Sequence, residues 1–515
     1  MMDAALPTDL RRDAMRDVAV RRGLAFCAML AVAMAFRAEH LTDWDSWDYA
    51  AQASRGHSSD LLLGRWWFVA LMRGAYLIGR ELFGLNDLNG WLAMQAACSL
   101  LMAGAVVAGM AWTRRLTGSV AAEMLFAALL VLGPMIGIYA PAVMTEGATL
   151  LLIGLSFWLW ERAIASHRRG ATWALAAGLA FGVMVTMREQ AVVLAAWPIV
   201  SCVTDRPARR RVLLAAGLTG ALVTLGIGVL GAMAWFPWSN MTYFQNVGRW
   251  IAAMRTERRL FAVRLGENLY WTVGFLFAAA PVLTLLLAPS LLWVILRRHR
   301  RLLALTVAVV PYFVTLLINH DLAVNPRFII PGAFVLAPIV AAAIDAALVA
   351  ARPAYRRRLG LAVCGVLAAG LAAMLLGWSG VRTYYLDDSH WKHEAFGVMV
   401  GLPAHAVIVA GPGTPVACHL NRLGLKNFDV VGSGWSWPGE KLAERIAEAV
   451  RGGKEVYVNL DAETWNLTTR YSGELRQLET VAAKYALDRR AWPLVRLVKP
   501  AGNVGAESQP TTEVR

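Results

Sequence analysis

Residues 21–50 read RRGLAFCAMLAVAMAFRAEHLTDWDSWDYA. An apolar run from about Gly23 to Ala38 ends abruptly in an acidic, aromatic segment, Glu39 to Tyr49. That segment carries Glu39, Asp43, Asp45 and Asp48, together with His40, Trp44, Trp47 and Tyr49. A helix needs about 20 mostly apolar residues to cross a bilayer. Arg11, Arg12, Arg16, Arg21 and Arg22 precede the run, and basic residues beside a span hold that end in the cytoplasm. The acidic segment is therefore expected outside.

The whole chain supports a membrane assignment. It has 515 residues, 58% hydrophobic and 17% charged, and a mean hydropathy of +0.49. Soluble domains are roughly 45–50% apolar and about 25% charged. A formal net charge of +15 suggests nucleic acid at first sight. The arginines, however, sit in short clusters between apolar runs, where topology signals belong, so no nucleic-acid partner is expected. Cys27, Cys98, Cys202 and Cys364 lie in apolar runs, with Cys418 alone in the polar C-terminal part; no disulfide framework is implied. No small-residue cleavage site follows Phe36, so the first run reads as a span rather than a cleaved signal.

Hydropathy and loop charge together predict a polytopic α-helical membrane protein of roughly 11 spans. After the first, these run about Gly90–Trp112, Val120–Ile138, Glu146–Trp160, Ala171–Met187, Ala191–Val203, Val212–Phe236, Tyr270–Leu296, Leu303–Ile318, Phe328–Ala350 and Leu359–Trp378. Each proposed inner loop carries two or more arginines. Residues 61–85 are apolar but interrupted by Arg65, Arg73 and Arg80, a spacing that places three arginines on one face of an interfacial helix. The N-terminus is expected in the cytoplasm and the C-terminal part outside.

The predicted outer face collects Glu146, Arg188, Glu189, a long polar loop from Pro237 to Asn268 with Arg249, Arg255, Arg258, Arg259 and Arg264, and then His320, Asp321, Asn325 and Arg327. Arginines kept outside, against the usual bias, point to an anionic ligand. Residues 385–500 change character. Short apolar strands at 405–411, 427–431, 455–460 and 493–498 alternate with helices at 440–451 and 472–485, which predicts a small α/β domain. Residues 501–515 lack periodicity and read as a disordered tail.

Three aspartates within six residues repel unless a cation or a substrate proton sits among them. A carboxylate in a partly desolvated site can take a proton from an attacking hydroxyl. A solvated acidic loop is the plainer alternative, although two tryptophans and a tyrosine are unusual in one. Glu146 reads either as a helix N-terminal acid favoured by the macrodipole or as a group orienting a substrate. Arg188 and Glu189 read as a local pair, and His320 and Asp321 as a structural loop or as ligands of sugar hydroxyls.

The order Asp45-Ser46-Trp47-Asp48-Tyr49-Ala50 just past the first span resembles the first outer loop of GT-C glycosyltransferases. That superfamily includes protein O-mannosyltransferases and the aminoarabinose transferases of lipid A. Ser46 stands where many members have a glutamate. Glu146 after Tyr139-Ala140-Pro141, Arg188 at a helix end, and Asn325-Pro326-Arg327-Phe328 before Pro331 extend the resemblance over residues 1–384. It implies an inverting glycosyltransferase that uses a polyprenyl-phosphate-sugar donor and a lipid, glycan or protein acceptor. By the same resemblance Asp45 is the first candidate for the base, then Asp43, with Asp48 third. Arg327 is the preferred phosphate ligand and Arg255, Arg258 and Arg259 are helpers, unless these three anchor the loop to anionic headgroups. Glu146, Arg188, His320 and Tyr49 are candidate substrate-orienting residues.

No metal site or cofactor is expected, since the resemblance implies a monophosphate donor that needs no divalent cation. A transporter or flippase of a lipid-linked substrate is the main alternative, and an O-antigen ligase-like enzyme is another. Transporters place charge near the bilayer midplane, often in paired repeats, whereas here the polar groups gather at one mouth. The expected location is a bacterial inner membrane, in contact with membrane lipids, with the 385–500 domain extracytoplasmic.

Overall fold

The computed structural model describes all residues except 1–7, 62, 204–205, 238–240, 259–260, 320–325, 352, 377–380, 410, 432–438, 462–471 and 499–515. The predicted tail, His320, Asp321, Asn325 and Arg259 therefore lie outside the described residues. Arg255 and Arg258 lie in a described helix, but their side chains are outside the description.

The chain divides into two compact units, one of residues 1–37 and 52–385, the other of residues 38–51 and 386–515. The first is helical. It comprises α1 (Thr8–Ala35), the end of α2 (Trp44–Arg55), α3 (Trp66–Phe83), α4 (Trp91–Thr117), α5 (Val120–Val131), α6 (Pro134–Tyr139), α7 (Glu146–Ala165) and α8 (Gly170–Met187). There follow α9 (Ala196–Ser201), α10 (Pro207–Ala234), α11 (Tyr243–Arg258), α12 (Phe261–Ala279), α13 (Pro281–Leu296), α14 (Arg300–Asn319), α15 (Ile330–Ala350), α16 (Pro353–Leu375) and the start of α17 (Val381–Gly401).

Among the described residues, seven helices are long and apolar enough to cross a membrane, or eight if the bent pair α12 and α13 counts as one span. Three of the roughly 11 expected spans are broken locally, while the expected span 359–378 runs in α16 and ends outside the described residues. The expected span 120–138 breaks where Gly133 is extended, with ψ 107°, before Pro134. The expected span 270–296 turns through 115° at Ala280, with φ −155° and ψ 83°, before Pro281. A proline has no N–H to continue a helix and pushes its predecessor out of the helical region. Residues 191–203 form a 3-10 segment, Glu189–Ala195, and the short α9 rather than one span. The polar loop expected at 237–268 is largely helical, as α11 and the first turns of α12.

The packing of α8 along α10 depends on missing side chains. A Cβ on Gly178 would sit 1.9 Å from the Gly217 carbonyl oxygen, and one on Gly220 would sit 2.3 Å from that of Leu175. Backbones this close need glycine, as membrane helix interfaces commonly do. Helix α3 buries Phe68, Val69, Met72 and Tyr76 and exposes Leu71, Ile78, Leu82 and Phe83. Of its three arginines, Arg73 and Arg80 share a face of the helix, seven residues apart, and Arg65 does not belong to it. Arg65 precedes the helix in a left-handed conformation, φ 42°, and pairs with Glu189 at 3.7 Å. Arg73 donates to the carbonyls of Ala53 and Ser54 at 3.0 and 3.1 Å, closing the end of α2. Arg80 pairs with its neighbour Glu81.

The second unit holds a five-stranded sheet in the order β2-β1-β3-β5-β4, with β1 (Val407–Val409), β2 (Asp429–Val430), β3 (Val456–Asn459), β4 (Ala486–Asp488) and β5 (Leu494–Val498). The pairs β1–β2 and β1–β3 are parallel, while β3–β5 and β4–β5 are antiparallel. Helices α18 (Thr414–Arg422), α19 (Gly439–Arg451) and α20 (Ser472–Ala482) complete it. Val407, Val409, Val456 and Val458 pack with Ile446, Leu478 and Val495 in one core. The sequence locates this sheet and two of its helices but misses α18, β4 and the long α17.

The outer-loop segment is itself different from its expectation. Residues 38–51, assigned by sequence to the membrane part, belong to the compact unit of the C-terminal domain. From Trp44 onward they are helical.

Candidate functional site

Two groups of candidate residues come together, one in each compact unit. The first is built at three helix ends. The short connection between α7 and α8 makes them antiparallel neighbours, so the first residue of α7, Glu146, and the residue after α8, Arg188, lie at the same end. Arg327 follows α14 in the 3-10 turn Pro326–Ile329 that opens α15. Arg188 Nη2 donates to Glu146 Oε1 at 2.8 Å. Arg327 Nε stands 3.5 Å from the same oxygen. Both guanidinium groups face the ring of Phe328, with Cζ 4.8 Å from its centroid for Arg188 and 5.5 Å for Arg327. Tyr312 fixes that residue by donating its hydroxyl to the Phe328 carbonyl at 2.7 Å.

Two arginines meet one glutamate, and all three side chains are buried, at 2%, 8% and 0% exposure for Arg188, Arg327 and Glu146. Among the described residues, Nε and Nη1 of Arg188 make no hydrogen bond. Leaving a buried ionic donor unsatisfied is costly. Spare buried donors on Arg188 fit an anion, and a guanidinium presents its donors in the fork that phosphate oxygens accept. The expected pair of Arg188 with Glu189 is not formed. Glu189 instead accepts from the Leu63 backbone at 3.3 Å and pairs with Arg65.

The second group is the segment 38–51. Asp43 stands just before α2, where its carbonyl accepts from Ser46 and Trp47 at 3.0 and 3.3 Å and its carboxylate from the Asp45 N–H at 3.4 Å. These are the contacts of a helix N-cap. Asp48 forms an ion pair with Arg422 of α18. Asp45, in the first turn of α2, is half-buried, as are Asp43 and Asp48, while Tyr49 is fully buried. Asp45, Asp48 and Tyr49 share one helix face, being three and four residues apart.

The aromatic residues of the segment make its own small core. His40 stacks on Trp47 with centroids 4.5 Å apart and an interplanar angle of 12°. Phe396 lies 4.5 Å from the His40 ring, and His419 meets Trp47 edge-on at 4.9 Å. Burial, reinforced by nearby His419 and His393, pushes the His40 imidazole down to about 2. It is neutral, and its Nδ1 accepts from the Leu41 N–H at 2.8 Å. At the exposed edge, His390 Nδ1 is 2.9 Å from Glu39, whose carboxylate hydrogen bond raises the histidine above its usual range.

Sequence reasoning named Glu146, Arg188 and Arg327 but not their union. It missed Lys392, His419 and Arg422, which contact the acidic segment from the C-terminal domain. The only signal available was a polar and aromatic stripe at 389, 392, 393 and 396, at helical spacing on α17.

Comparison with family models finds no match, and comparison with curated proteins finds none. Solved structures do match. The oligosaccharyltransferase AglB from Archaeoglobus fulgidus, in complex with an inhibitory peptide and a dolichol-phosphate, aligns with a TM-score of 0.53 and 12% identity. The alignment covers 90% of this chain and 72% of that one. ArnT from Cupriavidus metallidurans bound to undecaprenyl phosphate gives 0.54 at 13% identity, over 94% of this chain and 98% of that one. Its apo form gives 0.55 at 15% identity, with the same coverage. The fold of this chain is the one these proteins share.

Proposed function

We propose that the chain is an inverting glycosyltransferase that moves a sugar from a polyprenyl-phosphate donor to a lipid, glycan or protein acceptor on the outer face of a bacterial inner membrane. The observation that carries this is the buried Arg188–Glu146–Arg327 group, whose two guanidinium groups and spare Arg188 donors suit a phosphate. Structures sharing the fold hold dolichol-phosphate and undecaprenyl phosphate.

The proposed reaction needs a base and a stabilised leaving group. The acceptor hydroxyl oxygen forms a bond to the anomeric carbon from the face opposite the donor phosphate. The bond from that carbon to the phosphate oxygen breaks, and polyprenyl phosphate leaves with the electron pair. The hydroxyl proton passes to Asp45, while Arg327 and Arg188 stabilise charge where it develops on the departing phosphate. Asp43 caps the helix and Asp48 is engaged with Arg422; the choice of Asp45 as base comes from the resemblance to GT-C glycosyltransferases. Glu146 orients Arg188 and Arg327 rather than touching the reacting atoms.

The test is the lipid fraction of a strain lacking this chain. A polyprenyl-phosphate sugar should accumulate and disappear on complementation. An unchanged lipid-linked pool would reject the proposal.

A further inference from the structure

The acidic segment is held by the C-terminal domain, at several points within one compact unit. On α17, Ser389 Oγ accepts from the His40 backbone N–H at 3.0 Å, and Lys392 donates its ammonium to the Thr42 carbonyl. Phe396, one turn further along the same helix face, packs on His40. On α18, His419 Nδ1 lies 2.8 Å from the Trp47 carbonyl oxygen, and Arg422, three residues on, pairs with Asp48. These contacts bracket Asp45 on both sides, at 42 and at 47–48. Lys392 and Ser389 are buried, at 8% and 0% exposure. A lysine withdrawn from water loses hydration, and its bond to the Thr42 carbonyl offsets part of that cost while tying α17 to the segment.

We infer that Lys392 and Arg422 are positioning residues for the transfer reaction: the C-terminal domain fixes where the Asp45 carboxylate stands, through the Thr42 carbonyl and the Asp48 side chain. This rests on Asp45 acting as the base. A base displaced by about 1 Å loses roughly 10²-fold in rate, so the domain sets kcat through the segment it holds. Arg422 at the C-terminal end of α18 is also well placed electrostatically, since a cation there opposes the helix dipole. The domain and the loop therefore act as one part, and the polar stripe on α17 is explained by the segment it grips.

Two measurements on the full-length protein decide it. The first is transfer kinetics for Arg422→Met, Asp48→Arg, and the exchanged pair Asp48→Arg with Arg422→Asp. Both single variants should lower kcat by about 10²-fold with little change in donor KM, and the exchanged pair should recover most of the loss. Recovery with arginine at position 48 also excludes Asp48 as the base. The second is hydrogen exchange of residues 38–51, which reads the segment without reference to activity. Exchange there should quicken in Arg422→Met and Lys392→Met and return towards wild type in the exchanged pair. Wild-type kcat and exchange in Arg422→Met would overturn the inference, as would an exchanged pair no better than the single variants. An active Asp45→Asn variant would instead remove the base assignment, and the exchange measurement would still decide whether the domain holds the segment.

Discussion

Arg188 donates to Glu146 at 2.8 Å with neither side chain more than 2% exposed. Glu146 lies within ion-pair distance of both Arg188 and Arg327. Removing it takes from the buried Arg188 the carboxylate it donates to. Glu146→Ala should destabilise the protein by about 3–5 kcal/mol, read as a lower melting temperature in detergent. Added undecaprenyl phosphate should recover part of that loss, because an anion takes the place of the carboxylate. An unchanged melting temperature would contradict the electrostatic account of this group.

The arginines themselves should matter through binding. Arg327→Gln, and separately Arg188→Gln, should weaken binding of undecaprenyl phosphate by at least about tenfold, the worth of one charge-assisted hydrogen bond. Native mass spectrometry or a thermal-shift titration reads this directly. Equal affinity in both variants would move the phosphate elsewhere.

The α8–α10 contact makes a prediction about the scaffold alone. With 1.9 Å between a Cβ at position 178 and the Gly217 oxygen, Gly178→Ala forces two helix backbones apart. Overpacking of this kind costs about 1–3 kcal/mol. The variant should melt lower yet keep its affinity for prenyl phosphate per folded molecule. Unaltered melting would mean that the helices separate without penalty.

His40 predicts an acid sensitivity. Its folded imidazole is pushed down to about 2 by burial and by His419 and His393, against an ordinary value near 6.5 when unfolded. Above that ordinary value the ring is neutral in both states and titration adds nothing. Below it the unfolded chain binds a proton that the folded one refuses, so stability falls by about 1.4 kcal/mol per pH unit. His40→Phe keeps a ring against Trp47 and removes the titration. Melting temperatures from pH 7.5 down to 5.5 should fall less steeply in this variant; identical slopes would assign the acid loss to other groups.

Much of this architecture is legible in the chain because hydrophobic runs and arginine clusters report on the same spans. Glu146, Arg188 and Arg327 stand out as polar residues at the ends of apolar runs, so each could be named before its partners were known. Their union could not be read, because 42 residues separate the first pair and 139 the next, and only helix packing closes those distances. Pro134 and Pro281 were visible, but hydropathy averages over a proline and returns one long span where the backbone makes two pieces. The grip of α17 on the first loop was least legible. Ser389 and His40 are 349 residues apart, and a polar stripe on a helix does not name what it faces.

The central claim is that Asp45 removes the acceptor proton while a separate set of arginines holds the donor phosphate. Its most direct test replaces the chain by Asp45→Asn in its own cell, measures the polyprenyl-phosphate sugar pool by mass spectrometry, and measures undecaprenyl phosphate binding on the purified variant. The account predicts that the sugar-loaded lipid accumulates as in a strain without the chain, while prenyl phosphate binding and melting temperature stay at wild-type values. A wild-type lipid pool in Asp45→Asn would contradict it.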